Sequence, residues 1–166
     1  MVEDAGGSVV RHVDHGVVAI VDAGPVEARL AALHAALARA LDAHRPDVVA
    51  IEDVFHARNA RSAIVLGQAR GVALLAAAQA GVRVRSFAPA VIKQAVTGTG
   101  RAEKDQVGRM VCMLLGITVR ERADATDALA AAICGLLRGH DPEDPSQQSR
   151  ATATRAALPR TVRGAR

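Results

Sequence analysis

The chain has 166 residues, enough for one domain with a proper core and too short for two ordinary ones. Half of it is hydrophobic, yet Phe55 and Phe87 are the only Phe, Trp or Tyr residues, so the core must be assembled from Ala, Val, Leu and Ile. The net charge of +4 is unevenly spread: the last 18 residues hold five arginines and no acid, so the other 16 basic residues face all 17 acids and residues 1–148 carry a net −1.

Residues 1–7 are polar and contain glycine, which predicts a frayed start. Val9–Val13 and His15–Val21 read as two short strands, the second rich in β-branched residues. Pro25 suits the first turn of a helix, which should run to about His44 with Leu30, Leu33, Leu37 and Leu41 on one face. Arg45-Pro46 ends it, and Asp47–Glu52 is a short apolar strand that finishes on a carboxylate. Asn59 is placed to cap a second long helix over Ala60–Ala80, which Gly81 terminates. Val82–Phe87 follows as a strand, then a short helix from Pro89 through Val96 and the turn Thr97-Gly-Thr-Gly100. Helices over Ala102–Leu115 and Ala123–Leu137 close the domain, and the Arg/Thr/Ala-rich stretch from Gly139 to Arg166 reads as a disordered tail. An antiparallel start followed by alternating strands and helices is the pattern of an α/β domain with a mixed sheet.

Cys112 and Cys134 lack metal-type spacing and sit in apolar helical runs, where free thiols are expected. The longest uninterrupted apolar stretch, Gly71–Ala78, is far short of a membrane span, and no basic-then-apolar leader opens the chain. A cytoplasmic protein with no membrane partner is the expectation. The basic tail would add salt-sensitive, sequence-independent attraction to nucleic acid but names no partner by itself.

Three groups of residues could carry chemistry. Glu52 ends a strand that should be buried on both faces, where sites form in such sheets, although a carboxylate there can equally be a solvated loop start. Phe55, just beyond it, is either a core aromatic under the loop or an exposed contact. Asp124 and Asp127 lie three residues apart in a first helical turn. Acids there oppose the macrodipole, but two so close also repel unless a cation or protons lie between them. With Glu52 they would make a hard oxygen set suited to Mg²⁺. Lys93 and Lys104, the only lysines, flank the Thr97–Gly100 turn, which is either an ordinary interhelical turn or a place where backbone amides approach phosphate.

Ile51-Glu-Asp-Val-Phe55, Asn59 and Gly67-Gln-Ala-Arg-Gly-Val72 together resemble the central segment of RuvC-type Holliday-junction resolvases. Val91-Ile-Lys93, Val96-Thr-Gly-Thr-Gly100, Glu103-Lys-Asp-Gln-Val107 and Ala123-Asp-Ala-Thr-Asp-Ala-Leu-Ala130 continue the likeness in order, over residues 8–138. The resemblance implies an RNase H-like fold, a mixed sheet flanked by helices, with a nuclease domain over 1–138 and a basic tail over 139–166. It implies that Glu52, Asp124 and Asp127 are catalytic carboxylates holding Mg²⁺, two ions per site, with Mn²⁺ as a substitute. It further implies that Lys93 and Lys104 hold the cut strand's phosphates and that Phe55 lies near the crossing point. The implied partners are four-way junction DNA, a second copy of the chain, and the motor that drives branch migration.

One departure from the family pattern matters. Members begin with a strand bearing Gly-Ile/Val-Asp-Pro-Gly, whose aspartate completes the metal site, and no Asp-Pro-Gly precedes residue 25 here. The sequence therefore predicts a sheet lacking its first strand, with unpaired edges inside the core. It allows two accounts, a start downstream of the true one or a decayed copy that binds junctions without cutting them.

Overall fold

A computed structural model describes residues 1–6, 9–20, 24–53, 59–118 and 123–138. Its elements in chain order are β1 (Val2–Asp4), β2 (Val10–His12), α1 (Val26–His44), β3 (Val48–Glu52), α2 (Ala60–Gln79), β4 (Arg83–Phe87), α3 (Pro89–Thr97), α4 (Lys104–Leu115) and α5 (Ala123–Leu137). Phe55 and the 139–166 segment lie outside the described residues.

The helices fall where leucine periodicity and punctuation put them. Pro25 caps α1, and Arg45 ends it in the left-handed region (φ 43°), its amide donating to the Leu41 carbonyl at 2.8 Å. The Asn59 side chain accepts from the Ser62 amide at 2.9 Å, which satisfies one orphan donor of α2. Gly98 (φ 79°) and Gly116 (φ 62°) close α3 and α4 in a conformation that glycine adopts without penalty.

The N-terminal strands differ from expectation. β1 occupies the polar start, and among residues 15–20 there is no strand. Local turn chemistry explains the first difference: the Asp4 carboxylate accepts from the Gly6 amide at 2.8 Å, Gly6 takes φ +89°, and the Ala5 amide donates to the Val9 carbonyl. The resulting antiparallel register pairs Val2 with His12, Glu3 with Arg11 and Asp4 with Val10, and an Arg11–Glu3 ion pair crosses the two strands. Val17 and Val18 remain exposed, with no strand paired to them among the described residues.

β3 and β4 form a parallel pair, Val48 opposite Arg83 through Glu52 opposite Phe87. The two pairs are separate two-stranded pieces, and α5 packs against both β1 and β3. Between them lies a cleft of about 950 Å³, lined by Val2 on one side, Val48 and Ala50 on the other, and Ala132 and Gly135 of α5. Among the described residues β3 has only β4 as a strand partner.

The β3–β4 pair is covered on one face by α2, with α1 stacked on it, and on the other by α5, against which α3 and α4 pack. The core is indeed aliphatic: Ile92, Val96, Val107, Val111, Leu129 and Ile133 are buried around Phe87. Val107, Val111 and Leu115 repeat at four-residue spacing, so one stripe of α4 enters the core. Cys134 is buried and Cys112 half-buried, both as free thiols. By length and composition α2 could cross a bilayer, but here it lies on β4 and α1 with Ala76 and Ala77 buried.

Candidate active site

The C-terminal end of β3 delivers Glu52 to the face that α5 covers. Asp124 and Asp127 stand in the first turns of that helix, Asp124 exposed and Asp127 half-buried. Lys104 opens α4, and its ammonium lies 2.7 Å from the Asp127 carboxylate. Lys93 is half-buried on α3.

The α3–α4 connection fixes the two lysines. The Thr97 hydroxyl sits 2.9 Å from the Lys93 carbonyl and 3.0 Å from the Thr99 carbonyl, which binds the turn to the end of α3. At Gly100 a Cβ would come within 3.0 Å of the Ala90 carbonyl oxygen, so the turn folds closely on the start of the same helix. It is thus an interhelical turn whose consequence is to bring Lys104 to the carboxylates.

Electrostatics show which groups share the site. Glu52 keeps much of its surface in solvent, yet burial of its carboxyl, followed by repulsion from Asp127, holds it above the ordinary glutamate range. Lys104 and Lys93 pull the other way. The Lys104 ammonium is held above its ordinary range first by its hydrogen bond to Asp127 and then by that carboxylate's charge, with smaller help from Asp124 and Glu52. Glu52, Asp127, Lys93 and Lys104 are therefore brought together, and Asp124 joins them through its field at Lys104.

The donors here are carboxylate oxygens, the kind a hard divalent cation takes, and one of them, on Asp127, already holds a cation in the Lys104 ammonium. Its ion pair with Asp127 is solvent-exposed on both sides, at 58% and 41%, and contributes at most roughly 1 kcal/mol. Such a contact is readily displaced. Among the described residues no three His, Cys, Asp or Glu groups converge closely enough to enclose a metal ion.

One arrangement was not legible from the motifs. Arg70 of α2 reaches the end of β3 from the opposite face, donating to the Glu52 carbonyl at 3.2 Å and the Ser86 hydroxyl at 2.8 Å and pairing with Asp53 at 2.8 Å. Its one mark in the sequence is an arginine inside the Gly67–Val72 motif, on a helix that is otherwise largely apolar.

The family model for the crossover junction endodeoxyribonuclease RuvC matches residues 1–135. The chain belongs to the RuvC family. The crossover junction endodeoxyribonuclease RuvC of Myxococcus xanthus is 55% identical over 141 residues, which are 84% of this chain and 73% of that protein. That of Acidiphilium cryptum is 51% identical over 131 residues, covering 79% of this chain and 78% of its own. Among solved structures, Thermus thermophilus RuvC in complex with a Holliday junction substrate aligns with a TM-score of 0.74 and 35% identity, over 80% of this chain and 81% of that one. A second Thermus thermophilus RuvC structure aligns at 0.73 and 34% identity, over 84% of each chain. The RNase H-like α/β fold expected of this RuvC-family chain is the fold it has.

Proposed function

We propose that this chain is a metal-dependent, structure-specific endonuclease that resolves four-way DNA junctions by paired cuts of the phosphodiester backbone. The observation that carries the reading is the convergence of Glu52 from β3 and Asp127 from α5 around the Lys104 ammonium, at the end of a sheet. The relatives' name, crossover junction endodeoxyribonuclease, and the junction bound to the Thermus thermophilus protein support it.

In this reading Glu52, Asp124 and Asp127 would hold Mg²⁺, two ions per site, with Mn²⁺ able to substitute. The bound metal would supply an activated water and charge stabilisation at the cut phosphate. Lys104, released from Asp127, would turn to the phosphate with Lys93 and offset developing negative charge there. Phe55 would meet the junction near its crossing point. Two cuts related by symmetry call for two copies of the site, which a homodimer provides. The exposed Ile64, Val65, Leu66, Leu74 and Leu75 of α2 support such an apolar interface. The cell's branch-migration motor is the proposed further partner, residues 1–138 the nuclease domain, and the cytoplasm the proposed location.

A second reading, a junction binder that does not cut, is favoured by the lack of three convergent metal-binding groups among the described residues. A labelled synthetic four-way junction with Mg²⁺, beside a linear duplex, separates the two when binding and nicking are scored independently. Paired symmetric nicks on the junction alone support the nuclease. Binding without nicks leaves the scaffold and removes the chemistry, and equal affinity for both DNAs sinks both readings.

The tail enters as a salt effect. Removing residues 149–166, with their five arginines, should weaken junction binding chiefly at low salt. The slope of log affinity against log salt should flatten by about 0.9 for each arginine that engages a phosphate. Unchanged slopes in a filter-binding titration would exclude the tail from the interface.

A further inference from the structure

We propose that Arg70 is a positioning residue for Glu52, acting through the strand end from the face of the sheet opposite the carboxylates. The inference rests on the reading of Glu52 as a site residue and goes beyond it.

Adjacent residues of an extended chain project to opposite faces, so Glu52 and Asp53 point apart. Glu52 lies on the same face of β3 as Ala50, which packs against Gly135 of α5, while Asp53 meets Arg70 at 2.8 Å. Strand pairing runs one residue past β3, because the Asp53 amide donates to the Phe87 carbonyl at 2.8 Å. Arg70 holds this last rung from three directions: the Glu52 carbonyl, the Asp53 carboxylate, and the Ser86 hydroxyl on the neighbouring strand. Holding the carbonyl and the amide of the Glu52–Asp53 peptide sets the backbone from which the Glu52 side chain leaves the strand.

Only a guanidinium has the planar set of donors to meet three acceptors at once; a lysine ammonium there would reach fewer of them. Arg70 and Asp53 are also 25% and 26% exposed, against 58% and 41% for Lys104 and Asp127, so the clamp is the better shielded of the two ion pairs. The site thus sits between a firm contact behind the strand and a displaceable one in front of it. A misplacement of about 1 Å at a reacting group can cost on the order of 10²-fold in rate, which is the scale expected when the clamp is cut.

The test compares the full chain with Arg70→Ala, Arg70→Lys, Asp53→Asn and Glu52→Gln in four measurements. These are single-turnover cleavage of a four-way junction, junction affinity, Mn²⁺ affinity of the DNA-free protein by electron paramagnetic resonance, and hydrogen exchange at the Asp53 amide. Arg70→Ala should lower the cleavage rate roughly 10²-fold with junction affinity held within about threefold, weaken Mn²⁺ binding, and speed exchange at Asp53. Arg70→Lys should fall between parent and alanine variant, whereas a merely space-filling role would leave the lysine variant like the parent. Asp53→Asn keeps the shape of the side chain and serves if Arg70→Ala does not fold.

Cleavage and Mn²⁺ binding like the parent's in the folded Arg70 variants would overturn the inference, as would losses of rate matched by losses of junction affinity. If the parent does not cut, Mn²⁺ affinity and Asp53 exchange decide, and no change in either overturns it. Unaltered cleavage and Mn²⁺ binding in Glu52→Gln would instead sink the site assignment, and Asp53 exchange in Arg70→Ala would still report whether the clamp exists.

Discussion

Replacing Glu52 by glutamine should abolish junction cleavage, a loss on the order of 10³-fold or more, while junction affinity stays within about threefold. The substitution keeps the side chain's size and removes its charge, so in the proposed reading what is lost is the carboxylate that would hold a divalent cation. In that reading the phosphates are held by Lys93, Lys104 and the arginines rather than by Glu52, which is why binding should survive. Single-turnover cleavage and a binding titration on the same junction separate the two effects. Cutting at the parental rate would remove Glu52 from the chemistry.

The same variant has a stability signature with a definite sign. Burial and Asp127 raise the Glu52 carboxyl pKa in the folded chain above its ordinary value. A raised acid favours the folded state below the unfolded pKa, and that contribution is lost as pH rises through the folded one. At neutral pH the ionised Glu52 therefore opposes folding, and Glu52→Gln should melt no lower than the parent. The variant's relative gain should shrink as the pH is lowered and the parent's carboxyl takes up its proton. A variant that melts well below the parent at neutral pH would mean that Glu52's attraction to Lys104 and Lys93 outweighs its burial and its repulsion from Asp127.

The helices were legible because each announces itself locally. Leu30, Leu33, Leu37 and Leu41 mark one face of α1, Asn59 carries the cap of α2, and Gly98 and Gly116 carry the turns that stop α3 and α4. The N-terminal hairpin was not, because Val17, Val18 and Ile20 advertise a strand that finds no partner, whereas polar Val2–Asp4 pairs through an Asp4–Gly6 turn. Strand propensity is a preference for a half-buried pleated surface, and it yields to whichever pairing the turn makes available. At the site, each carboxylate alone had an ordinary explanation; their chemistry allowed Glu52 to join residues more than seventy positions away in one oxygen set, and the likeness to a family gave that set its weight. Packing of α5 on β3 makes that link physical. Arg70 escaped because its partners lie across the sheet, at distances in sequence that no local pattern encodes.

That packing has a single point at which it can be tested. Gly135 is buried on α5, and a Cβ placed there would stand 2.9 Å from the Ala50 Cβ and 3.8 Å from the Phe87 ring. Helix propensity would favour alanine by about 1 kcal/mol, yet 2.9 Å is closer than two methyl carbons approach, so β3 and α5 must part. Gly135→Val should destabilise the chain by roughly 2–3 kcal/mol, lowering the melting temperature by about 5–10 °C. Because β3 carries Glu52 and α5 carries Asp127, about 12 Å along the helix from Gly135, the same separation should also slow cleavage at temperatures where the variant is folded. Ala50→Gly removes the opposing methyl, so pairing it with Gly135→Ala should be less harmful than the two single changes added together, a coupling read from a double-mutant cycle. Additive effects, or a Gly135→Val variant as stable as the parent, would mean that α5 does not meet β3 at this position.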